Sequence, residues 1–346
     1  MKRLRIITGI IIILIIVGIT AINIQQEDTN ITRNQTKVGV VLSGSIDDAS
    51  WVQSHYEGME ISRRELNLAV EYRENVPLDE KCIEVMEELI EDGCKIIICN
   101  SYMYGEYVLQ VAGEHPDIYF FHATGVTETD NVLTYFGRMY QMRYLCGIVA
   151  GLQTETNEIG YIASYNLSEV NRGINAFTLG VRSVNPQAEV YVSFCDSWDD
   201  DEITKQAAAE LFDKHNIDVM TVHSDSLAAY DEAYERDIWI IGYNQDNSEK
   251  YPKRFLTAAV WRWENFYTPR ILEVLQDKFV SRHYWEGAES DMIALSPFTE
   301  NVSEETIQRV SEELQRLLDG TFDVFYGPVY DNEGNKVATV NTVKEE

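Results

Sequence analysis

Short apolar runs alternate with longer amphipathic stretches from Lys37 onward. The runs KVGVVLSG, AVEYREN, KIIICNS and IYFFHAT are typical of strands, whereas EKCIEVMEELIEDGC carries apolar residues at helical spacing on one face. Strands separated by helices of this length predict right-handed βαβ units and a parallel sheet. The first part of the chain is therefore expected to be an α/β lobe.

The same pattern restarts at EIGYIAS, after the apolar helical stretch RMYQMRYLCGIVAGLQTETN. Helices over 169–183, 202–215 and 227–235 are predicted between the strands EVYVSFC, DVMTVHSDS and WIIGYN. We therefore predict two doubly wound α/β lobes, the first from residues 37–156 with 262–290 and the second from 157–261 with 291–346. The hinge would have three crossovers: near Thr154–Glu158, near Ala258–Trp263, and before GPVYDNEGN. Helix 265–279 would return to the first lobe.

The N-terminus begins MKRLR and continues for 21 residues without a charge until Glu27. This run approaches the roughly 20 residues that span a bilayer and exceeds a signal-peptide core of about 7–15. The preceding basic residues predict that the rest of the chain lies outside the cytoplasm. We interpret residues 1–26 as an uncleaved membrane anchor, with a cleaved signal peptide as the alternative, and 27–36 as a linker. A lipidated cysteine is excluded near this run.

Composition narrows the classes of partner. Among 346 residues, 57 are acidic and 28 basic, so the formal net charge is −29. Such a charge repels nucleic-acid phosphates and anionic lipid surfaces, which argues against nucleic-acid binding. The five cysteines form no C-x-x-C pair and lie in apolar contexts, so we interpret them as buried hydrophobic residues and expect no metal site or cofactor.

Polar and aromatic side chains recur where the predicted strands end. Ligands of doubly wound sheets bind outside the carboxyl ends of the strands, and two facing lobes would place that site in a cleft. Any one of these residues can be a helix cap, but their recurrence in both halves favours a binding site. The positions are Ser43, Gly44, Asp48, Ser50 and Trp51; Asn100, Ser101 and Tyr102; Tyr165, Asn166 and Glu169; Asp196 and Trp198; His223, Ser224 and Asp225; and Tyr243, Asn244 and Asp246.

Patterns typical of enzymes are weak. Asp47 and Asp48 are adjacent and point apart, and one of them is explained as a helix cap. Ser50 and His55 are five residues apart, which places them on different parts of a helix, and no G-x-S-x-G, H-E-x-x-H, G-x-G-x-x-G or phosphate-loop motif occurs. We expect a binding protein without catalytic residues.

Five stretches resemble the basic membrane protein family of substrate-binding proteins. They are DDASWVQSHYEG, YFGRMYQMRYLCGIVAG, IGYIASYNLSEVNRGINAFTLGVRSVNP, IIGYNQDN and GPVYDNEGN, and the similarity runs from Lys37 to Val340. The resemblance implies a type I periplasmic-binding-protein fold and a purine-nucleoside receptor of an ABC importer.

The chain departs from the nucleoside-binding members at three places. Their D-x-S-F-N motif is Asp48 to Val52 here, so the aromatic residue is Trp51 and the amide is lost. The D-x-D that grips ribose is replaced by Asn244-Gln245-Asp246, and a lysine is replaced by Trp261. These changes weaken sugar recognition and favour a flat heterocycle, so the resemblance is closer to members that bind a free purine such as adenine.

The resulting hypothesis is a monomeric purine receptor outside the cytoplasm that serves an ABC permease. Trp51 would stack on one face of the purine, with Trp198 or Trp261 on the other. Two alternatives stay open: a membrane-anchored sensory or accessory receptor that signals to a kinase or regulator, and a purine nucleosidase that uses Asp48 and Asp225. The proposed ligand-binding residues are Asp48, Ser50, Trp51, Ser101, Tyr102, Glu169, Asn175, Trp198, Asp225, Asp246 and Trp261.

Overall fold

The computed structural model describes residues 35–331 and 333–338. The N-terminal anchor and most of the linker predicted from the sequence lie outside these residues. No helix in the described ranges is long and apolar enough to cross a membrane.

The first lobe is built on a six-stranded sheet in which all pairings are parallel. Its strand order is β11-β5-β4-β3-β1-β2. The strands are β1 (Lys37–Val41), β2 (Ala69–Arg73), β3 (Ile96–Cys99), β4 (Tyr119–Ala123), β5 (Val132–Gly137) and β11 (His283–Glu286). The helices that connect them are α1 (Trp51–Leu66), α2 (Lys81–Glu91) and α3 (Gly105–Glu114), and a later helix, α8 (Glu264–Leu275), packs against α1.

The second lobe repeats this architecture, with the strand order β12-β10-β9-β8-β6-β7. Its strands are β6 (Glu158–Ala163), β7 (Glu189–Phe194), β8 (Val219–His223), β9 (Trp239–Asn244), β10 (Phe255–Trp261) and the antiparallel edge strand β12 (Ile293–Leu295). Its helices are α5 (Ser168–Val184), α6 (Asp201–Lys214), α7 (Ala228–Glu235) and α9 (Glu304–Leu318). A small hairpin of β13 (Val329–Tyr330) and β14 (Lys336–Ala338) follows. The predicted class of two doubly wound α/β lobes is confirmed.

Helix α4 (Tyr140–Gln153) differs from the expected lobe assignment. The prediction placed it in lobe 1, but it packs along α5 of the second lobe. A Cβ at Gly147 would lie 2.0 Å from the Phe177 carbonyl oxygen, and one at Gly180 would lie 2.0 Å from that of Tyr144. These glycines allow the two helix backbones to touch. The first crossing therefore lies at 137–140, ahead of the predicted Thr154–Glu158.

The cysteines behave as the sequence predicts. All five side chains are buried and carry free thiols. Burial raises the pKa of Cys94 to about 11 and that of Cys146 to about 12, so these groups stay protonated at neutral pH. They act as small apolar residues of the core.

Candidate functional site

The lobes meet through side chains that stand at the ends of strands. Ser50, before α1, donates to the Asp225 carboxylate at 3.0 Å, and the Asn244 amide at the end of β9 donates to Ser50 Oγ at 2.9 Å. Gln245 also donates to Glu57 at 3.1 Å. Each of these bonds joins the two lobes, so the carboxyl ends of the strands face one another as expected. The candidate site is this junction.

The Asp48 carboxylate caps the N-terminus of α1 from two residues before the N-cap residue, Ser50. The carboxylate accepts the backbone N–H groups of Ser50, Val52 and Gln53 at 2.8–2.9 Å. Burial raises the pKa of Asp48, and the three N–H donors lower it only part of the way back. Asp48 thus fixes the direction of the first turn of α1, where Trp51 stands, because capping satisfies donors that the helix leaves unpaired.

Trp51 belongs to an aromatic cluster, defined as Trp51, His55, Tyr135, Phe136, Trp261, Trp263 and Tyr267. The Trp51 ring meets those of Trp261 and Trp263 nearly at right angles, with centroids 5.7 and 5.6 Å away. Trp261 and Trp263 instead stack on each other at 4.4 Å and 9°. Because the rings of Trp51 and Trp261 are perpendicular, they do not form the two parallel walls expected around a flat ligand. Trp198, the other residue proposed to stack on the second face of the purine, stays a prediction.

Hydrogen bonds orient the tryptophan and histidine rings of this cluster. The Trp51 indole donates to the Asn100 carbonyl oxygen at 2.9 Å, and the Trp261 indole donates to Asn244 Oδ1 at 2.8 Å. His55, fully buried, stacks on Trp263 at 4.3 Å, and its Nδ1 contacts the Tyr267 hydroxyl. Burial holds the pKa of His55 well below its usual value, so the imidazole is neutral at neutral pH. The aromatic cluster is therefore rigid and uncharged.

A polar network lies beside this cluster and consists of Arg143, Tyr161, His223 and Glu169. Arg143 donates to the Tyr161 hydroxyl, which lies 3.1 Å from His223 Nδ1, and His223 Nε2 lies 3.0 Å from Glu169. Burial lowers the pKa of His223, and Glu169 raises it only part of the way back. A neutral imidazole with its proton on Nε2 then accepts from Tyr161 and donates to Glu169. All four side chains are oriented by one chain of donors and acceptors.

A small pocket opens between the polar network and the first lobe, with room for about one water molecule. The lining combines the crossing segment, α4, α5 and the end of β8: Phe136, Gly137, Met139, Tyr140, Arg143, Glu169, Arg172, Gly173 and His223. The Arg172 guanidinium lies over the Trp285 ring at 5.0 Å, which is a further contact between the lobes. The pocket thus has both aromatic and charged walls.

Asp225 is the titratable group at the centre of the junction. Burial, and secondly the charge of Asp48, raise the pKa of Asp225 to about 7, although the hydrogen bond from Ser50 lowers it. Asn244 donates to the same carboxylate oxygen at 2.8 Å. Near neutral pH this carboxyl can therefore either accept or donate a hydrogen bond.

The structure brings together part of the predicted set. Ser50, Trp51, Glu169, Asp225 and Trp261 lie at the junction, with Asp48 beside them, and the Trp198 ring lies 6.4 Å from that of His223. Ser101 instead caps a single helical turn at Tyr102–Tyr104, and Tyr102 is 60% exposed. Asn175 and Asp246 are also exposed, and Asp246 accepts from the Ser248 N–H.

Two residues outside the predicted set hold central places. Arg143 is fully buried, and Asn244 connects Ser50, Asp225 and Trp261. The signal for Arg143 was its single charge within the apolar stretch YQMRYLCGIVAG, because a buried charge requires partners. Asn244 is one of the polar strand-end positions that the sequence predicts, although the proposed ligand-binding residues do not include it.

Comparison with known proteins identifies the family. The profile of the PnrA-like ABC transporter substrate-binding proteins matches residues 35–321. The chain belongs to this family. The resemblance inferred from the sequence motifs is thereby confirmed.

Named relatives differ in ligand. A purine-binding protein of Brucella abortus is 32% identical over 87% of this chain and 86% of its own length. A putative ABC transporter glucose-binding protein of Haloferax volcanii is also 32% identical, over 86% of this chain and 75% of its own. Similarity at this level indicates a substrate-binding protein, and the ligand has to be argued from the site.

Solved structures agree with the fold. A solute-binding protein of an ABC transporter system from Conexibacter woesei superposes with a TM-score of 0.72 at 21% identity, covering 83% of this chain and 98% of that chain. A transcriptional activator of the comK gene from Bacillus halodurans gives 0.73 at 21% identity, covering 83% and 99%. The type I periplasmic-binding-protein fold is thus shared by proteins with different roles.

Proposed function

We propose that this chain binds a purine between its two lobes, as a free base such as adenine, and delivers it to an ABC importer. Substrate-binding proteins of such importers act outside the cytoplasm, which fits the charge pattern of the N-terminal segment. The family profile and the purine-binding relative support the class of ligand. The preference for a free base rests on the residues of the junction.

The burial and stacking of Trp261 are the observations that support the preference for a free base over a nucleoside. In nucleoside-binding members of the family a lysine stands at this position, and here the indole is 6% exposed and stacks on Trp263. Its N–H is already bonded to Asn244, which replaces the first carboxylate of the ribose-binding motif. A ribose would therefore meet buried aromatic surface where those proteins offer charged hydrogen-bonding groups. Leaving sugar hydroxyls without partners is costly, so a base without sugar fits better.

The polar groups that remain suit the edge of a purine. Asp225 and Glu169 offer carboxyl groups, and Trp51 offers an aromatic surface at the start of α1. Stacking on an aromatic side chain contributes about 1–3 kcal/mol per base. Opening of the lobes would admit the ligand, and closure would bury it between groups from both sides, as in other hinged binding proteins.

A thermal-shift screen over bases, nucleosides and glucose tests this proposal. A ligand at 100 times its Kd stabilises the folded protein by about 2.7 kcal/mol, so a true ligand raises the melting temperature measurably. We expect adenine to raise it, adenosine to raise it less, and glucose to leave it unchanged. Larger shifts with nucleosides than with free bases would contradict the preference for a base, and recovery of adenosine as free base would indicate a nucleosidase.

A sensory or accessory receptor is the second candidate. It is supported by the apolar N-terminal run without a lipidation cysteine, and by the structural similarity to a transcriptional activator of the comK gene. Transport assays in cells that lack this chain separate the two functions. Loss of purine uptake supports import, whereas normal uptake with an altered transcriptional response to purines supports sensing.

A further inference from the structure

Several buried polar atoms have no hydrogen-bond partner within the part of the chain that the structure describes. They are His55 Nε2, Asn100 Nδ2, Arg143 Nε, Ser164 Oγ and Ser224 Oγ. An unsatisfied buried donor or acceptor costs about 1–3 kcal/mol, so such atoms are rare and call for an explanation. Asn100, Ser164 and Ser224 share a position, because each is the first residue after a strand: β3, β6 and β8 respectively. Three of the five buried polar atoms without a partner therefore lie at the strand ends where the lobes face each other.

Asn100 shows the arrangement most clearly. Its side chain is fully buried, and its Oδ1 accepts the Ser43 backbone N–H at 2.9 Å. That bond fixes which end of the amide is the oxygen, so the orphaned atom is a donor. The backbone carbonyl oxygen of Asn100 accepts the Trp51 indole N–H. The orphaned donor thus belongs to the residue that holds the proposed stacking surface in place.

Ser224 occupies the equivalent place in the second lobe. β3 and β8 each lie third from the end of their sheet, next to β1 and β6. The two neighbours of Ser224 in the chain are both engaged at the junction: His223 lines the pocket, and Asp225 accepts from Ser50. Asn100 and Ser224 are therefore matched polar positions at the facing strand ends of the two lobes.

The two other buried asparagines in the described part of the chain, Asn131 and Asn244, use the donors of their side-chain amides. Asn131 Nδ2 donates to the carbonyl oxygens of Ala112, His115 and Ile118 at 2.9–3.0 Å. Asn244 Nδ2 donates to Ser50 and Asp225. A buried asparagine with a structural role is thus saturated here, whereas Asn100 retains a free N–H beside Trp51.

We propose that Asn100 determines specificity by donating its Nδ2–H to a ring nitrogen of the purine stacked on Trp51, while the Ser224 hydroxyl bonds the same ring from the other lobe. This inference rests on the proposed function. The ring nitrogens N1, N3 and N7 of adenine accept hydrogen bonds, and a C–H in their place does not. A buried donor discriminates strongly between these two, since the ring without the nitrogen leaves it unpaired.

Deaza analogues test the proposal without any variant. We expect at least one of 1-deaza-, 3-deaza- and 7-deazaadenine, the one that lacks the nitrogen bonded by Asn100, to bind the wild-type protein about 10- to 100-fold more weakly than adenine by calorimetry. Asn100→Asp keeps the oxygen that accepts from Ser43 and replaces the donor by an acceptor. This variant should bind adenine at least about tenfold more weakly at pH 8 and should no longer distinguish that analogue from adenine.

One further variant tests the Ser224 hydroxyl, and another serves as the control for Asn100→Asp. Ser224→Ala removes an unpartnered hydroxyl, so it should fold normally and weaken adenine binding several-fold, independently of Asn100→Asp. Asn131→Asp makes the same chemical change at the saturated amide, so it should lower the melting temperature and leave the Kd for adenine unchanged.

The possible failures are distinguishable. A wild-type protein that binds no purine overturns the proposed function together with this inference. A wild-type protein that binds adenine and all three deaza analogues equally overturns the inference alone. The same holds if Asn100→Asp binds adenine normally, the result expected if only a water molecule satisfies Nδ2.

Discussion

The aromatic cluster and the polar network occupy the same junction and are built in opposite ways. In the aromatic cluster most contacts are ring against ring, and one of its three tryptophans, Trp263, is completely buried. In the polar network each group is oriented by a hydrogen bond to the next, from Arg143 to Glu169. The aromatic cluster provides flat apolar surface, and the polar network provides hydrogen-bonding groups with fixed orientation. A planar ligand with polar edges requires both, which is why the junction suits a heterocyclic base.

The two regions also differ in their response to protons. His55, the titratable imidazole of the aromatic cluster, is held neutral by burial. Asp225, next to the polar network, has a pKa raised to about 7 and changes charge near neutrality. A change of pH between 5 and 8 should therefore act on the polar side of the junction and leave the aromatic side unaltered.

The largest expected effect is loss of the Trp263 side chain. Trp263→Ala removes a fully buried ring that stacks on Trp261 and His55, so the free energy of unfolding should fall by about 3–5 kcal/mol. Urea denaturation measures this loss. A decrease below about 1 kcal/mol would mean that the aromatic cluster is not a packed core.

Removal of the Tyr161 hydroxyl tests the polar network. Tyr161→Phe leaves His223 Nδ1 without its partner and removes one of the buried acceptors of Arg143. Arg143 keeps its bonds to Thr221 Oγ1 and the Val222 carbonyl oxygen, so we expect a loss of about 2–3 kcal/mol in unfolding free energy. Tyr104→Phe is the matched control, because its buried hydroxyl donates to one carbonyl oxygen, that of Val76, and should cost about 1 kcal/mol. Equal losses in the two variants would show that the polar network is not cooperative.

Asp225→Asn tests how much of the pH dependence of the free energy of unfolding comes from Asp225. Between pH 4 and 7 the unfolded chain releases this proton while the folded chain keeps it, so wild-type stability falls as pH rises and the loss is complete above pH 7. Asparagine has no such proton. The variant should therefore gain about 1–3 kcal/mol relative to wild type between pH 5 and pH 8 in urea titrations. An equal difference at both pH values would contradict the raised pKa.

Trp51→Ala should affect binding more than stability, because this ring is only partly buried. Loss of stacking should weaken adenine binding by about 1–3 kcal/mol, measured by calorimetry. Tyr330→Ala is the control at an exposed aromatic residue outside the proposed set and should change the Kd less than about twofold. Unchanged affinity in Trp51→Ala would remove the stacking surface from the proposal.

Periodicity predicted much of the fold and less of the site. Helices expected at 169–183 and 202–215 are observed at Ser168–Val184 and Asp201–Lys214, because amphipathic spacing depends on local sequence. The lobe that α4 joins could not be predicted, since it depends on the close fit of Gly147 and Gly180 to distant backbone.

The same limit applies to individual site residues. Glu169, Arg172 and Gly173 face the pocket at helical spacing, and Asn175, two residues after Gly173, turns to the opposite side of α5 and is exposed. Trp261 is one of two residues, with Trp198, that the sequence predicts to face a ligand in parallel with Trp51, but the stacking of Trp261 on Trp263 sets its plane. Which residue types line the junction follows from the sequence, whereas ring orientation depends on tertiary packing.

Isothermal titration of the wild-type protein with adenine and with adenosine is the most direct test of purine-base binding. We predict a saturable 1:1 isotherm with adenine and binding of adenosine at least about tenfold weaker, because ribose meets buried tryptophan at position 261. Tighter binding of adenosine, or binding of glucose in place of either purine, would contradict the proposed function.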